Sequence, residues 1–213
     1  MSEMIKIQMV EPIPYDPADL HFLRDLAENE GITFFNARLV QGNVSSFSLL
    51  NKISKFSNTG MSHGFSITAF CEGGWGLASG QDFTKENLKS TFFEASRLAK
   101  WSARFAKEKY QITERDGNYE SYCTKQKIPL GNISPDQRIQ TLLDIERECY
   151  LDPRIVSTRV SYMDSESEKV IFNSFNQFVR IRNASMFFSL QAVAKDGINQ
   201  QGYHVSDGGS GGF

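Results

Sequence analysis

The chain has 213 residues, of which 40% are hydrophobic and 23% are charged. This composition excludes a disordered or fibrous protein, and the length is enough for one large domain or two small ones with a buried core. The formal net charge of −2 argues against a nucleic-acid-binding protein, because such a protein needs a basic face to release counterions from phosphates.

The sequence predicts neither a signal peptide nor a membrane span. Residues 1–10 are mixed in character, and no apolar run approaches the ~20 residues that are needed to cross a bilayer. Three cysteines, Cys71, Cys123 and Cys149, are widely spaced, which favours free thiols over a disulfide framework or a zinc knuckle. We therefore expect a cytoplasmic protein with no membrane partner.

The first half of the chain predicts a helix, a run of strands and a second helix. A capping residue with proline after it indicates a helix from Asp16, and Gly31 is its expected stop. Strands are predicted at 32–40, 44–56, 65–71 and 75–78, with turns at 41–43, 58–60 and 72–74. A second helix begins at Thr84. Its expected inner face holds Leu88, Phe92, Ala95, Ala99, Ser102 and Ala106, widened by Leu98, Trp101 and Phe105.

The second half repeats the order of helix and strands. A polar segment at 108–127 shows no clear pattern, and then a capping box at Ser134 opens a third helix that ends before Asp152. Its expected buried side holds Ile139, Leu142, Leu143, Ile145 and Cys149. Strands are predicted at 155–163, 169–173 and 178–194, with turns at 164–167 and 174–176, and a hairpin at 196–197 returns through 200–205.

This order of elements predicts an α+β fold in which antiparallel β meanders carry helices packed on one face, as a two-layer sandwich. Helices that follow runs of closely connected strands bury their apolar stripe against the sheet that those strands form. The pattern leaves open whether the two halves form one continuous layer or two lobes.

Histidine is the side chain best suited to acid–base chemistry near neutral pH, and the chain has three. His21 is expected on the surface of the first helix and His63 in a loop, whereas His204 is the one candidate for a functional role. No two histidines have helical ligand spacing, and none pairs with a cysteine at the spacing of a zinc site. The residues therefore predict no catalytic, cofactor-binding or metal-binding position within the chain.

Three other groups of residues are explained by their place in the fold and need no functional role. Asp144, Glu146 and Glu148 lie beside Arg147, which is typical of a solvated helix face. The basic run at 100–109 fits the solvated side of the second helix. Cys71 follows Phe70 on a predicted strand, which indicates a buried small residue and not a nucleophile.

Glycine is concentrated in two places. Gly73, Gly74 and Gly76 lie between two strands and open no helix, so they predict a hairpin with Trp75 on the core and exclude a phosphate-binding loop. Residues 207–213 have the composition of a flexible linker. A natural glycine-rich strap that follows a domain at 1–206 is the alternative.

Residues 64–79, with the sequence GFSITAFCEGGWGLAS, resemble the strand and Trp-Gly hairpin of the TldD/PmbA family. The opening helix followed by Ala37 and Arg38, the segment 195–203 and the glycine-rich end are similar to that family in the same order. Cys71 and Glu72 depart from the expected pair before the turn, and Leu77 stands where Phe is common. The resemblance nevertheless covers nearly the whole chain.

The resemblance implies that residues 1–206 are the N-terminal α+β domain of an intracellular metallopeptidase, from a family once labelled modulator of DNA gyrase. Residues 207–213 would then lead to a C-terminal catalytic domain outside the chain. Active members hold zinc through a His-Glu-x-x-x-His helix and a later Cys, with the Glu as general base. None of this motif lies within residues 1–213, so the chain alone is predicted to be inactive and to bind no zinc.

The resemblance also implies partners and a role. The expected partners are a related subunit in a homo- or heterodimer and an unfolded peptide substrate of the longer protein, with no nucleic acid. The expected role is to help form the proteolytic chamber, to make subunit contacts and to govern peptide access. The alternatives are a stand-alone binding or scaffold module and the inactive partner subunit of a two-subunit peptidase.

Overall fold

The computed structural model describes residues 12–213, which form a seven-stranded sheet with helices on one of its faces. The first half contains α1 (Pro17–Leu20), α2 (Phe22–Glu30), β1 (Phe34–Leu50), β2 (Ile53–Cys71), β3 (Gly74–Gly80) and α3 (Lys85–Ala103). The second half contains β4 (Tyr119–Cys123), a 3-10 turn (Leu130–Asn132), α4 (Pro135–Cys149), β5 (Ile155–Asn173), β6 (Phe178–Asp196) and β7 (Asn199–Ser210).

The strands lie in the spatial order β3-β2-β1-β5-β6-β4, and β7 pairs with the same edge of β6 as β4 does. Every pairing is antiparallel except that of β4 with β6. β4 occupies the part of that edge from Phe178 to Arg182, and β7 occupies the part from Ser185 to Asp196. The predicted α+β fold is confirmed, and the two halves form one continuous layer.

The ends of the helices follow the capping chemistry of the sequence. Gly31 has φ of 65°, a left-handed conformation that glycine adopts freely, and it ends α2 as predicted. Ser134 accepts the N–H of Gln137 at 3.1 Å and the Gln137 side chain returns the bond, so the predicted capping box opens α4. The single predicted first helix is divided into α1 and α2 at His21.

The strands are longer than predicted, because three predicted turns are strand interior. Gly42 pairs with both neighbouring strands, Gly60 pairs with Val44, and the predicted turn at 164–167 lies within β5. The β1–β2 turn instead falls at Asn51 and Lys52, which have φ of 53° and 66°. The long backbone pairing of β1 with β2 and with β5 keeps these polar and glycine residues extended, so local turn propensity loses to the sheet. β4 was not predicted, because it lies in the segment at 108–127, whose sequence shows no clear pattern.

Two hydrophobic cores lie on the helical face of the sheet. The first packs α2 and α3 against one end of the sheet, and the second packs α4 against the other end. β1 contributes to both, since Phe35 and Leu39 lie in the first core and Phe47 and Leu49 in the second. These residues are all odd-numbered, so they share one face of the strand.

The inner face of α3 is narrower than predicted. Leu88, Phe92, Ala95 and Ala99 are fully buried, as expected, but Trp101 and Phe105 are 59% and 69% exposed. The helix lies very close to β3, because β3 presents glycine there. A β-carbon at Gly76 would lie 2.1 Å from the carbonyl oxygen of Ala95.

Trp75, which was predicted to pack on the core, lies on the opposite face of the sheet and is 43% exposed. It contacts the ring of Phe70 there, with centroids 4.7 Å apart. The alternation of β3 explains the placement, because Gly74 and Gly76 take the positions that face α3 and Trp75 lies between them.

Candidate functional site

The part of β2 from Ile53 to Gly64 forms an open edge of the sheet. β1 pairs with one side of β2 along its whole length, whereas β3 pairs with the other side only from Phe65 to Cys71. Among residues 12–213, no strand pairs with that second side between Ile53 and Gly64. The open edge is about 40 Å long at the usual rise of a strand.

The direction of the main-chain groups along this edge follows from the hydrogen bonds at its end. The carbonyl of Phe70 accepts the N–H of Thr33 at 3.0 Å, so the main-chain groups of Phe70 point towards β1. Successive residues of a strand alternate in this direction, and the register shows no shift between 56 and 70. The groups that point away from β1, to the open edge, are therefore those of Ser57, Thr59, Met61 and His63.

From Phe56 to Gly64 the open edge lacks the features that usually prevent pairing with another chain, whereas a shift in register and Lys55 lie at its Ile53 end. Natural edge strands carry charges, prolines or bulges for this purpose. Residues 53–64 contain no proline, and Lys55 is their one formally charged side chain apart from the titratable His63. Ile53, Phe56 and Met61 are 57%, 52% and 74% exposed. An extended polypeptide added here would find both main-chain partners and apolar side chains.

The face of the sheet opposite the helices is largely uncovered. At one end the segment after α3 crosses it, and the Tyr110 ring lies 5.0 Å from that of Phe70. Over the middle, Val44, Met163 and Phe187 are between 41% and 46% exposed and lie among serines. This uncovered face and the open edge of β2 adjoin each other.

A buried ion pair joins α4 to the sheet on the helical face. Arg138 Nε donates to Asp164 Oδ2 at 2.6 Å, and the Tyr162 hydroxyl donates to the same oxygen at 2.8 Å. Burial, with the nearby charge of Asp164, raises the pKa of Tyr162 well above its usual range. Arg138 also donates to the carbonyls of Leu130 and Ile133, so the pair fixes the turn before α4.

Glu146 was predicted on a solvated face, and that prediction is wrong. The residue is fully buried, and its Oε1 accepts the N–H of Lys52 at 2.9 Å and a hydrogen bond from the hydroxyl of Thr158. Its Oε2 has no hydrogen-bond partner in the described part of the chain. Arg138, Leu142 and Glu146 are spaced by four residues, so this spacing was the available signal that both charged residues share the face of Leu142.

The three histidines lie far apart in the fold. His21 is half-buried between α1 and α2, with its ring 5.9 Å from that of Phe172, so it is less exposed than predicted. His63 lies in a strand and not in a loop, and its Nε2 is 3.9 Å from Asp82 Oδ1. His204 is exposed on β7, at the other side of the sheet, opposite Gln191. The fold therefore assembles no shared histidine site.

All three cysteines are free thiols. Burial raises the pKa of Cys71 and of Cys149, which disfavours the nucleophilic thiolate at both positions. Cys123 is exposed at the end of β4. Between residues 12 and 213, no group of three or more His, Cys, Asp or Glu side chains is arranged to hold a metal ion, and no helix is long and apolar enough to cross a membrane.

The glycine-rich end is built into the sheet. Residues 207–210 are the last residues of β7, and Gly208 lies opposite Phe187 of β6. A β-carbon at Gly212 would lie 2.2 Å from the carbonyl oxygen of Ile128, and the ring of Phe213 packs in the second core. These contacts require glycine for close approach, which a flexible linker does not explain. The domain boundary at 206 is still a prediction.

Two family models match the chain. Residues 37–99 match the model described as PmbA/TldA metallopeptidase domain 1, and residues 128–213 match the PmbA/TldA metallopeptidase central domain. A curated protein named metalloprotease, from Methanothermobacter thermautotrophicus, is 28% identical over 168 residues, which are 78% of this chain and 36% of that protein.

Solved structures share the fold. A Thermotoga maritima protein described as a modulator of a DNA gyrase has a TM-score of 0.73 at 18% identity, over 88% of this chain and 41% of its own. TldE from Thermococcus kodakarensis has a TM-score of 0.68 at 15% identity, over 90% of this chain and 42% of its own. The chain thus spans well under half the length of the proteins that it matches.

Proposed function

Because the chain belongs to the TldD/PmbA family of metallopeptidases, we propose that it is the non-catalytic N-terminal portion of a cytoplasmic zinc metallopeptidase of this type. In this role the sheet forms part of the wall of the proteolytic chamber, contributes to contacts between subunits and guides unfolded peptide towards the active site. The zinc and its ligands belong to a catalytic domain outside residues 1–213, as the family resemblance implies.

The open edge of β2 is the observation that carries the proposal. It offers main-chain donors and acceptors at Ser57, Thr59 and Met61, next to a sheet face whose middle is exposed in the described part of the chain. Main-chain pairing with an extended polypeptide depends little on the sequence of that polypeptide. An edge of this kind suits a protein that receives unfolded peptides of many sequences.

We expect this chain to bind fluorescein-labelled casein, an unfolded polypeptide, through that edge. Met61→Pro removes an N–H that points to the open edge and leaves the hydrogen bonds to β1 in place, so binding should weaken about tenfold or more. Fluorescence anisotropy measures the affinity, and zinc content and casein cleavage are measured on the same samples. Neither zinc nor cleavage is expected.

Met61→Ala is the matched control, because it removes the exposed side chain but keeps the N–H. It should bind casein nearly as well as the original chain. Equal losses in both variants would assign the effect to the side chain and refute main-chain pairing. One zinc ion per chain, or cleavage by this chain alone, would refute the non-catalytic role.

A further inference from the structure

The solvent side of α3 and the turn that follows it carry aromatic and basic residues together. Phe93, Trp101 and Phe105 are 44%, 59% and 69% exposed, and the rings of Trp101 and Phe105 lie 5.1 Å apart. Spacing of three or four residues places them on one side with Arg97 and Arg104. We call these five residues the α3 stripe. Three adjacent exposed aromatic side chains form a patch of the kind that marks an interaction site.

The two arginines of the α3 stripe have no ion-pair partner within residues 12–213, although the neighbouring Lys100 pairs with Glu30 at 2.5 Å. A shallow groove of about 340 Å³ runs between Glu30 and α3, with Phe93, Arg97 and Trp101 along it. A partner that fits this groove supplies carboxylates for the arginines and apolar contact for the rings.

The solvent side of α4 carries the opposite charge. Asp136, Asp144 and Glu148 are exposed, and their spacing of four and eight residues places them on one side of the helix. Arg147 pairs with Asp144 at 3.1 Å, whereas Asp136 and Glu148 have no ion pair with any residue that the structure describes. We call these three residues the α4 acidic side.

We infer that the α3 stripe of one copy docks on the α4 acidic side of a second copy. Both helices lie on the same face of one sheet, so a two-fold axis that runs along this face between them places α3 of each copy over α4 of the other. Each contact then occurs twice, and the free arginines of each copy face the acidic side of the other. The inference rests on the subunit contacts of the proposed function and names the surfaces that make them.

Charge reversal on the two helices tests the inference by sedimentation equilibrium of the full chain. Arg97→Glu with Arg104→Glu makes both sides acidic, and Asp136→Arg with Glu148→Arg makes both basic. Each double variant alone should dimerise about tenfold more weakly or worse, because like charges face each other. An equimolar mixture of the two should recover the dimer, since every contact again joins opposite charges.

Lys127→Glu with Lys195→Glu is the matched control for the arginine variant, since it makes the same change of charge outside both helices and should keep the original dissociation constant. Circular dichroism establishes that every variant is folded, and the test is independent of peptidase activity or casein binding. A monomeric original chain, or a mixture no tighter than its components, overturns the inference. Binding of the α3 stripe to anionic vesicles or single-stranded DNA by a chain that stays monomeric would also overturn it.

Discussion

Glu146 joins the end of α4 to the turn of the β1–β2 hairpin, and its two carboxylate oxygens differ in their surroundings. Oε1 accepts hydrogen bonds from the Lys52 N–H and from the Thr158 hydroxyl, whereas Oε2 has no hydrogen-bond partner among the described residues. Glu146→Ala leaves the Lys52 N–H and the buried Thr158 hydroxyl without this acceptor and opens a cavity, so we expect a loss of about 2–4 kcal/mol in the free energy of unfolding. Urea denaturation measures it.

Glu146→Gln separates the contribution of the hydrogen-bond acceptor to stability from that of the negative charge. Glutamine keeps the volume and an oxygen at the Oε1 position, and it removes a buried charge that has no basic partner, so the cost should stay below about 1 kcal/mol. The exposed Glu148 is the control on the same helix, and its replacement by alanine should change stability by less than about 0.5 kcal/mol. If glutamine costs as much as alanine, the hydrogen-bond explanation is wrong.

The sequence predicts the structural roles of individual polar residues only in part. The caps at Ser134 and Gly31 depend on neighbours in the chain, and both were predicted correctly. The burial of Arg138 and Glu146 depends on Asp164 and Thr158, which lie on a different element. A charged residue is normally exposed unless it is paired, and its pairing partner is determined by the tertiary structure.

The contact of α3 with β3 depends on glycine. β-carbons at Gly74 and Gly76 would lie 2.3 Å from the Ala103 nitrogen and 2.1 Å from the Ala95 oxygen, and both of these atoms belong to the helix backbone. Gly76→Ala therefore forces α3 away from the sheet, and we expect a loss of about 2–4 kcal/mol in unfolding free energy. Thermal and urea denaturation measure it.

Gly60 provides the matched control, since it also lies within a strand but a β-carbon there would meet no atom within 4 Å. Gly60→Ala should stabilise the chain slightly, by up to about 1 kcal/mol, because alanine loses less conformational freedom on folding than glycine. A similar loss in both variants would show that glycine serves backbone freedom at these sites and not the close approach of α3.

Elements were predicted better in type than in extent. Helices have ends that local capping chemistry specifies, so α3 and α4 begin where they were expected. Strand ends depend on how far the neighbouring strand continues. Gly42 and Gly60 resemble turn residues in isolation, but the long pairing of β1 with β2 and β5 carries them past these positions to Asn51 and Lys52.

The whole molecule combines one sheet with two cores. The matched family domains 37–99 and 128–213 supply most of the first and of the second core respectively, yet β1 and β5 each contribute to both cores. Between the cores the helical face carries the buried polar side chains of Ser45, Asp164 and Glu168. These polar side chains interrupt the apolar packing between the cores, so we expect the two ends of the sheet to open separately even though their strands are continuous.

Two leucines with matched burial test this separation. Leu88 is 0% exposed in the first core and Leu142 is 2% exposed in the second. Replacement of either by alanine should cost about 2–5 kcal/mol locally. In native-state hydrogen exchange, Leu142→Ala should raise the exchange rates of amides in α4 and at 158–164 while those of α3 and 65–71 stay protected. Leu88→Ala should give the reverse pattern. Equal loss of protection at both ends in either variant would instead identify a single cooperative unit, in which continuity of the strands outweighs the polar zone between the cores.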